Sequence, residues 1–498
     1  MTSSPTPPTP FDLPASELTT RLAEKPVAIS PKLLEALSAI APVSEEVGDR
    51  AEHGRDWWPI AIGWAANGQV PAFPGVVIRP TSATQVADIL RICSQAGVPV
   101  TPMGGRSGVC GGSVPIFGGV ALDLCGLNAI HEVDETSLTV TVDAGMFGPD
   151  LERHLAGVGP GYSVGHFPQS FDLSTVGGWL ACRGAGQYST RYGKIEDMVV
   201  GLTVALTDGR LISTEAKAPR AATGPSLTQL FVGAEGTLGV ITSATLKIHR
   251  RPGAEARRSV SFANFDEGLE ACRRILQRGA TPAVLRLYDE IESKRSFGVE
   301  RCSLIVLDEA DLHLLNATMA IVDEELSSAQ VEDLAHVDHW LERRNDVSQL
   351  APLWRNHVVV DTIEIAGSWK DLGGTTARLL DALRSTEGTL TASVHQSHAY
   401  SDGACCYFTF AGRPTAVDGD DPMEAEARYY ERVWKVANET IVAEGRAVSH
   451  HHGIGLHRSN ALQASLGSAY DALVAIKRTL DPAGIMNPGK LGFGGPAQ

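Results

Sequence analysis

Three glycine clusters in the first half of the chain constrain its fold more than any other feature. The first, Pro102-Met-Gly-Gly-Arg-Ser-Gly-Val-Cys-Gly-Gly112, directly follows the strand-like run Val98-Pro99-Val100. The second spreads over 165–186, and the third is Gly233-Ala-Glu-Gly-Thr-Leu-Gly239. Glycine lets a backbone approach a pyrophosphate closely, and a row of loop N–H groups makes an anion nest without lysines. None of the clusters is a G-x-G-x-x-G fingerprint or a Walker loop. One such loop is as readily an ordinary turn; three in succession point to a dinucleotide.

At 498 residues the chain is too long for one hydrophobic core and is expected to divide into two or three domains. Its net charge of -16 argues against a nucleic-acid partner, because a phosphate polyanion needs a basic face. A small anionic ligand remains compatible, since a few buried arginines suffice to bind one. The cysteines (Cys93, Cys110, Cys125, Cys182, Cys272, Cys302, Cys405, Cys406) include no C-x-x-C pair, so free thiols are expected. The N-terminus does not read as a signal peptide, and no apolar run approaches the ~18 residues of a membrane span. These features predict a cytoplasmic location.

Along the chain, residues 1–25 are rich in Ser, Thr and Pro and predict a loose tail. A segment carrying Trp57, Trp58 and Trp64 is expected to pack on the body, which gives a first unit of 1–69. Val76-Val77-Ile78 reads as a strand, and Ser82-x-x-Gln85 as a capping box. Val86, Ile89, Leu90 and Cys93 then recur as one face of a helix. Strands are predicted at 120–124, 138–143 and 244–248, a short helix at 150–155, and a hairpin at 199–214 turning on Asp208-Gly209. Arg250-Arg251-Pro252-Gly253 marks a boundary, giving units of 70–252, 253–440 and 441–498.

The stretches R-P-T-S-A-T-Q-V-A-D-I-L (79–90), P-M-G-G-R-S-G (102–108), G-H-F-P-Q-S-F-D-L-S-T-V-G-G-W (165–179), G-A-E-G-T-L-G-V-I-T (233–242) and D-P-A-G-I-M-N-P-G-K-L (481–491) carry a resemblance. They are similar to the vanillyl-alcohol-oxidase and FAD-linked-oxidase superfamily. The resemblance implies an α+β fold: a two-subdomain, PCMH-type FAD-binding domain over 70–252, an α/β substrate cap over 253–440, and a last segment returning to the FAD domain. FAD is then the expected cofactor. Pro102, Met103, Gly104, Gly105, Arg106, Ser107 and Gly108 are expected to hold its pyrophosphate. Gln169, Ser170, Ser174, Thr175, Gly177, Gly178, Cys182, Arg183, Gly184 and Ala185 would line its two ends. Glu235, Gly236, Thr237, Leu238, Gly239, Val240 and Ile241 would join them there. Some members tether FAD through a histidine of the first loop; this loop has none, so non-covalent FAD is expected, with Cys110 the nearby thiol.

In the second half, A-V-L-R-L-Y-D (283–289), D-T-I-E-I-A-G-S-W (361–369), G-A-C-C-Y-F-T-F (403–410) and S-H-H-H-G-I-G-L-H-R (449–458) are similar to the alkyldihydroxyacetonephosphate synthases. In that family a phosphorylated acyl ketone loses a proton beside its carbonyl and forms a flavin adduct. The acyl group leaves as a carboxylate and a fatty alcohol adds, without net oxidation. The resemblance makes Tyr407 the catalytic tyrosine and His450, His451 and His452 the triple histidine. It adds His166, Arg286 and, upstream of the D-T-x-E motif, Arg355. A small-molecule, lipid-derived substrate, a peripheral membrane contact and a homodimer are expected on the same grounds.

Other readings stand beside these. A tyrosine in an aromatic strand is more often core than catalyst, and an arginine among apolar residues is by default a structural ion pair. Consecutive histidines in an extended segment alternate, so His450 and His452 are expected on one face and His451 on the other. His395 and His398 read as solvated loop residues. Where the family has Glu-Pro-Asp after the G-H motif, this chain has Phe167-Pro168-Gln169.

The main rival is a hydroxy-acid dehydrogenase with the same FAD domain. That branch carries H-x-G-D-G-N-x-H and E-H-G-x-G, whose His and Glu suit a divalent cation. Here the corresponding stretches are 398–406 and 451–455, with the Asn and second His missing and His451 in place of the Glu, so no metal is expected. A non-enzymatic flavoprotein is a third reading, one that the retained polar residues of the cap disfavour.

Overall fold

Ser82 accepts a hydrogen bond from the Gln85 N–H and starts the helix Ala83–Ala96, while the Gln85 side chain accepts from the Thr81 N–H. Gly97, at φ 65°, closes the helix in the left-handed conformation that glycine adopts without penalty. The buried face of this helix, Val86, Ile89, Leu90 and Cys93, packs with a four-stranded sheet into one core. The sheet order is Val43–Ser44, Val76–Ile78, Val120–Asp123, Val100–Met103, and the last three strands are parallel. The first glycine loop therefore leaves the carboxyl end of a parallel strand, where α/β sheets commonly bind ligands.

The computed structural model describes residues 3–22, 25–214, 218–414 and 421–496. A second, five-stranded antiparallel sheet runs Leu211–Ser213, Val199–Ala205, Val240–Lys247, Thr139–Asp143, Ile130–Asp134 and has its own core. Val199–Ala205 and Leu211–Ser213 form the hairpin expected from Asp208-Gly209. The third glycine loop precedes Val240–Lys247, and Val240 and Ala205 of this sheet enter the core of the first.

The second half builds a seven-stranded, wholly antiparallel sheet. Its order is Gln330–Val331, Ala254–Phe262, Cys302–Ala310, Val284–Tyr288, Thr389–Ala399, Gly403–Gly412, Val359–Ser368. The helices Phe265–Gln277, Leu312–Glu325, Trp369–Ser385 and Pro422–Ala443 contribute to the core on one side of it. The helix Pro59–Ala66, apolar all round and almost wholly buried, adds Ile60, Ile62 and Trp64 to that core from far upstream. At the other end of the chain Ile485 and Met486 enter the core of the first sheet, and the Val100 N–H donates to the Ile485 carbonyl. Sheets and helices segregate as in an α+β fold.

Residues 3–22 do not form the loose tail that their composition predicts. The Thr6 carbonyl accepts from Trp57 Nε1 at 2.9 Å, and the Arg55 guanidinium lies 3.8 Å from the Phe11 ring centre. Thr19–Thr20 pairs with Gln69–Val70. Prolines have already restricted this segment, so laying it over aromatic surface loses less chain entropy. Residues 1, 2, 23 and 24 of the predicted tail lie outside the described residues.

Candidate active site

Strand alternation assembles the site. In register across four neighbouring strands, Glu364 stands opposite Tyr407, Tyr407 opposite His395, and His395 opposite Tyr288. Stepping two residues keeps the same face, so Thr362, Thr409, Ser393 and Arg286 join them. The intervening residues Ile363, Phe408, Val394 and Leu287 fill the core on the opposite face. One face of the cap sheet is thus polar and presses its side chains toward the glycine loops.

Between that face and the loops lies a cavity of about 740 Å³. Pro102 to Gly108, Gln169, Ser170, Ser174, Thr175, Gly177, Gly178, Cys182, Gly184, Ala185, Glu235, Gly236, Gly239, Val240 and Ile241 line it, and so does Cys110. Arg183, Thr237 and Leu238 do not. Arg183 ends a helix at φ 56° and its side chain turns out to Glu196. Thr237 is buried with its hydroxyl on the Ala234 carbonyl, and Leu238 belongs to the second core. None of the N–H groups of 105–108 donates to another backbone group, and Arg106 Nη1 is buried without a partner. A pyrophosphate fits these idle donors, as loop nests and arginines bind anions elsewhere. His166 is buried too, with both ring nitrogens unpartnered, and its ring centre is 4.7 Å from that of Trp179. Burial lowers His166 to about 3, so it is a neutral imidazole at the cavity wall.

On the cap side the cavity is lined by Arg286, Glu292, His395, Tyr407, His451 and His452, among others. Tyr407 donates to Thr362 Oγ1 at 2.9 Å. Its ring stacks on His395 at 4.9 Å and meets His452 edge-on at 5.4 Å. Burial raises its phenol well above the usual range, although the Thr362 bond works the other way.

The three histidines do not alternate as an extended segment would. Their backbone turns around one carboxylate: the N–H groups of His450, His451 and His452, and the Ser449 hydroxyl, all donate to Glu364 Oε1. The other oxygen accepts from Arg458 Nη2 at 2.6 Å and lies 3.2 Å from His452 Nδ1. Burial alone would raise Glu364, but Arg458 and then His452 hold its carboxyl well below the usual range. From the FAD side Glu235 accepts from the Ile454 and Gly455 N–H groups at 2.6 and 2.8 Å. The turn carries His451 and His452 to the cavity. It leaves His450 outside the lining, bonded to His451 Nδ1 and to the Tyr400 hydroxyl.

Two further expectations are corrected. His395 and His398 are not solvated loop residues: they lie within the strand Thr389–Ala399, 6% and 4% exposed. Arg355 stands apart from the site. It ends the helix Leu350–Arg355, whose Trp354 is buried toward the cap core, and its exposed guanidinium pairs with Asp12 at 2.7 Å. Sequence reasoning also passed over Glu292 and Glu364. A charged residue inside the apolar alternation of 359–366 is a usable signal for Glu364, since a buried charge needs partners. Glu292 sits in a helix, Glu290–Phe297, whose charged composition looks like a solvated face.

Among the described residues, ligand atoms of His398, Cys405, His450 and His451 lie within 4.8 Å of one another, a grouping able to hold a metal ion. No described helix is long and apolar enough to cross a membrane, and the cysteines are free.

Residues 74–215 match the FAD binding domain family, and residues 251–491 match the C-terminal domain of FAD linked oxidases. The chain is 28% identical over 466 residues to alkyldihydroxyacetonephosphate synthase of Dictyostelium discoideum, covering 85% of this chain and 74% of that protein. It is also 28% identical over 456 residues to glycolate oxidase subunit GlcD of Bacillus subtilis, covering 87% and 92%. A solved alkyldihydroxyacetonephosphate synthase shares the fold with a TM-score of 0.77 at 24% identity, over 98% of this chain and 89% of that one. FAD is the cofactor, and the chain belongs to the FAD-linked oxidase superfamily, with a PCMH-type FAD-binding domain ahead of a FAD-linked oxidase C-terminal domain.

Proposed function

We propose that this FAD-dependent enzyme acts in the manner of the alkyldihydroxyacetonephosphate synthases, exchanging the acyl group of a phosphorylated ketone for a fatty alcohol. The observation that carries this reading is the setting of Tyr407, whose hydroxyl has a threonine as partner and whose ring is surrounded by His395, His451 and His452. Removing a proton beside a carbonyl needs a base within reach and a second group to take the proton onward. Tyr407 fills the first role once a neighbour relieves it of its own proton. His451, a neutral imidazole because burial holds it well below its usual range, stacks beside the tyrosine ring. Arg286 supplies positive charge for the phosphate. When bound, FAD supplies the electron-accepting ring against which the substrate carbon reacts. The acyl group leaves as a carboxylate and the alcohol replaces it, so no electrons are gained or lost overall. The flavin is held without a covalent bond: the first loop has no histidine, and burial keeps the Cys110 and Cys182 thiols protonated.

The grouping of His398, Cys405, His450 and His451 favours a second reading, a metal-assisted oxidation of a D-2-hydroxy acid. Anaerobic flavin spectra separate the two. Bleaching by palmitoyl-dihydroxyacetone phosphate with release of palmitate supports the exchange reaction. Bleaching by D-lactate or D-2-hydroxyglutarate, with a stoichiometric metal found by elemental analysis, replaces it with the dehydrogenase. On the exchange reading, Tyr407→Phe lowers turnover by about 10²–10⁴-fold while the protein stays yellow. Loss of flavin on that change would make Tyr407 a scaffold residue.

A further inference from the structure

Arg286 is paired in an unusual way for a cation facing a cavity. Its Nη2 lies 2.6 Å from His395 Nε2. A guanidinium has only donors, so Nε2 must accept, and the imidazole proton must sit on Nδ1. Nδ1 in turn lies 2.8 Å from Glu292 Oε2 and donates to it. The other Glu292 oxygen accepts from the Ser393 and Thr409 hydroxyls at 3.0 and 3.3 Å, which fixes the carboxylate against two strands of the sheet. Glu292 is 2% exposed and His395 6%. Burial would raise the Glu292 carboxyl, yet the contact with His395 brings it down to about 2. His395 itself is lowered to about 4, by burial and then by Arg286, so the imidazole is neutral.

The consequence is electrostatic. Among the described residues Arg286 makes no ion pair with a carboxylate, and its Nε is buried without a partner. A direct Arg286–Glu292 pair would cancel the charge. An imidazole between them fixes the guanidinium and leaves its charge available for a ligand. Glu292 is meanwhile balanced by Arg295, 3.6 Å away on its own helix.

We propose that Glu292 and His395 are positioning residues that hold the Arg286 guanidinium in the cavity, uncancelled, with its spare N–H donors available to an anionic group of the substrate. The proposal rests on the reading of Arg286 as the anion-binding residue and names the two residues through which that role is sustained. His395 also stacks on Tyr407, so the same imidazole sets the distance between the anion anchor and the tyrosine hydroxyl.

The test uses the yellow holoenzyme and inorganic phosphate as the anion, with binding followed by the perturbation of flavin absorbance. His395→Leu removes the acceptor and is expected to weaken phosphate binding by about tenfold or more, the scale of one lost hydrogen bond to a charged group. His395→Gln, whose amide can donate to Glu292 and accept from Arg286, is expected to return the affinity to within about threefold of the wild type. In an Arg286→Gln background His395→Leu should change nothing further. Unaltered phosphate binding by His395→Leu overturns the positioning role while leaving Arg286 its anion. Phosphate binding that survives Arg286→Gln, or is missing from the wild type, overturns the reading of Arg286 and the proposal with it. Nitrogen NMR of histidine-labelled wild type gives a check that no folding defect can obscure. His395 is expected as the Nδ1–H tautomer, and the Nε2–H tautomer overturns the proposal.

Discussion

Two residues show how a single group organises this site. Glu364, itself fully buried, collects three successive backbone N–H groups, the Ser449 hydroxyl and the buried Arg458 guanidinium. Arg458 is 1% exposed and also donates to the Val448 carbonyl. Glu364→Gln leaves this buried cation without its counter-charge, which is expected to destabilise the fold by roughly 3–5 kcal/mol in urea titrations. Gly105 acts by what it lacks. A Cβ there would lie 1.9 Å from the Leu173 carbonyl oxygen, so any side chain pushes the loop at 102–108 away from the segment at 169–175. Gly105→Ala is therefore expected to weaken FAD binding by at least about tenfold, read by flavin fluorescence during titration of the apoprotein.

At the scale of elements, the strand Gly403–Gly412 is the clearest case of one sequence serving two faces. Cys406, Phe408 and Phe410 are fully buried in the cap core, while Tyr407 and Thr409 between them are only partly buried and line the cavity. Phe408→Ala is expected to cost about 3–5 kcal/mol, because the surrounding core relaxes only partly into the space. Tyr407→Phe, one residue away, is expected to cost about 1 kcal/mol through its bond to Thr362. Denaturation of the two variants side by side checks the contrast. The histidine turn is the opposite kind of element, with Gly453 at φ 81° and Gly455 at φ 56°, and with carboxylates from both halves of the chain holding its N–H groups. Its shape depends on partners far away in sequence, which is why a periodicity argument misplaced His451.

The whole molecule keeps many imidazoles neutral in its interior. Burial lowers His166 and His457 to about 3, and His395 and His450 to about 4, from an ordinary 6.5. His398 and His451 are held well below that value, again by burial. The unfolded chain takes up protons near 6.5 where the folded protein does not, so these groups stabilise the fold above that pH and lose effect as pH falls toward about 4. Asp56, raised by burial to about 7, and Asp289 and Asp361, raised by burial to about 6, work in the opposite direction. Glu152, Glu235 and Glu309, also raised by burial, act in the same sense as these aspartates, but with His249 the lowered histidines among the described residues number seven against six carboxyls. Below an ordinary carboxyl value of 4.5, the lowered Glu292 and Glu364 add to the loss. The melting temperature is therefore expected to fall steadily between pH 7 and pH 4, as followed by calorimetry, and a flat profile over that range would contradict it.

The sequence by itself determined the strand–helix–strand launch of the first glycine loop, the hairpin at Asp208-Gly209 and the class of cofactor. These features are local, since capping, glycine conformation and strand alternation act within a few residues. The resemblance picked out Tyr407, Arg286 and His452, against a residue-level default of core packing for the tyrosine and a structural ion pair for the arginine, and the structure brings all three to one cavity. Arg355 was not placed correctly by the same logic. The helix that carries it docks by Trp354, and the arginine is left facing Asp12 from the other end of the chain. Only the tertiary structure decided which groups Glu292, His395 and Glu364 meet, since these include partners as far as 117 residues away. It also ordered residues 3–22 against the tryptophans of the next segment. Such placements follow from satisfying buried charge and covering apolar surface, and both depend on which distant segments meet, not on the order of residues along any one of them.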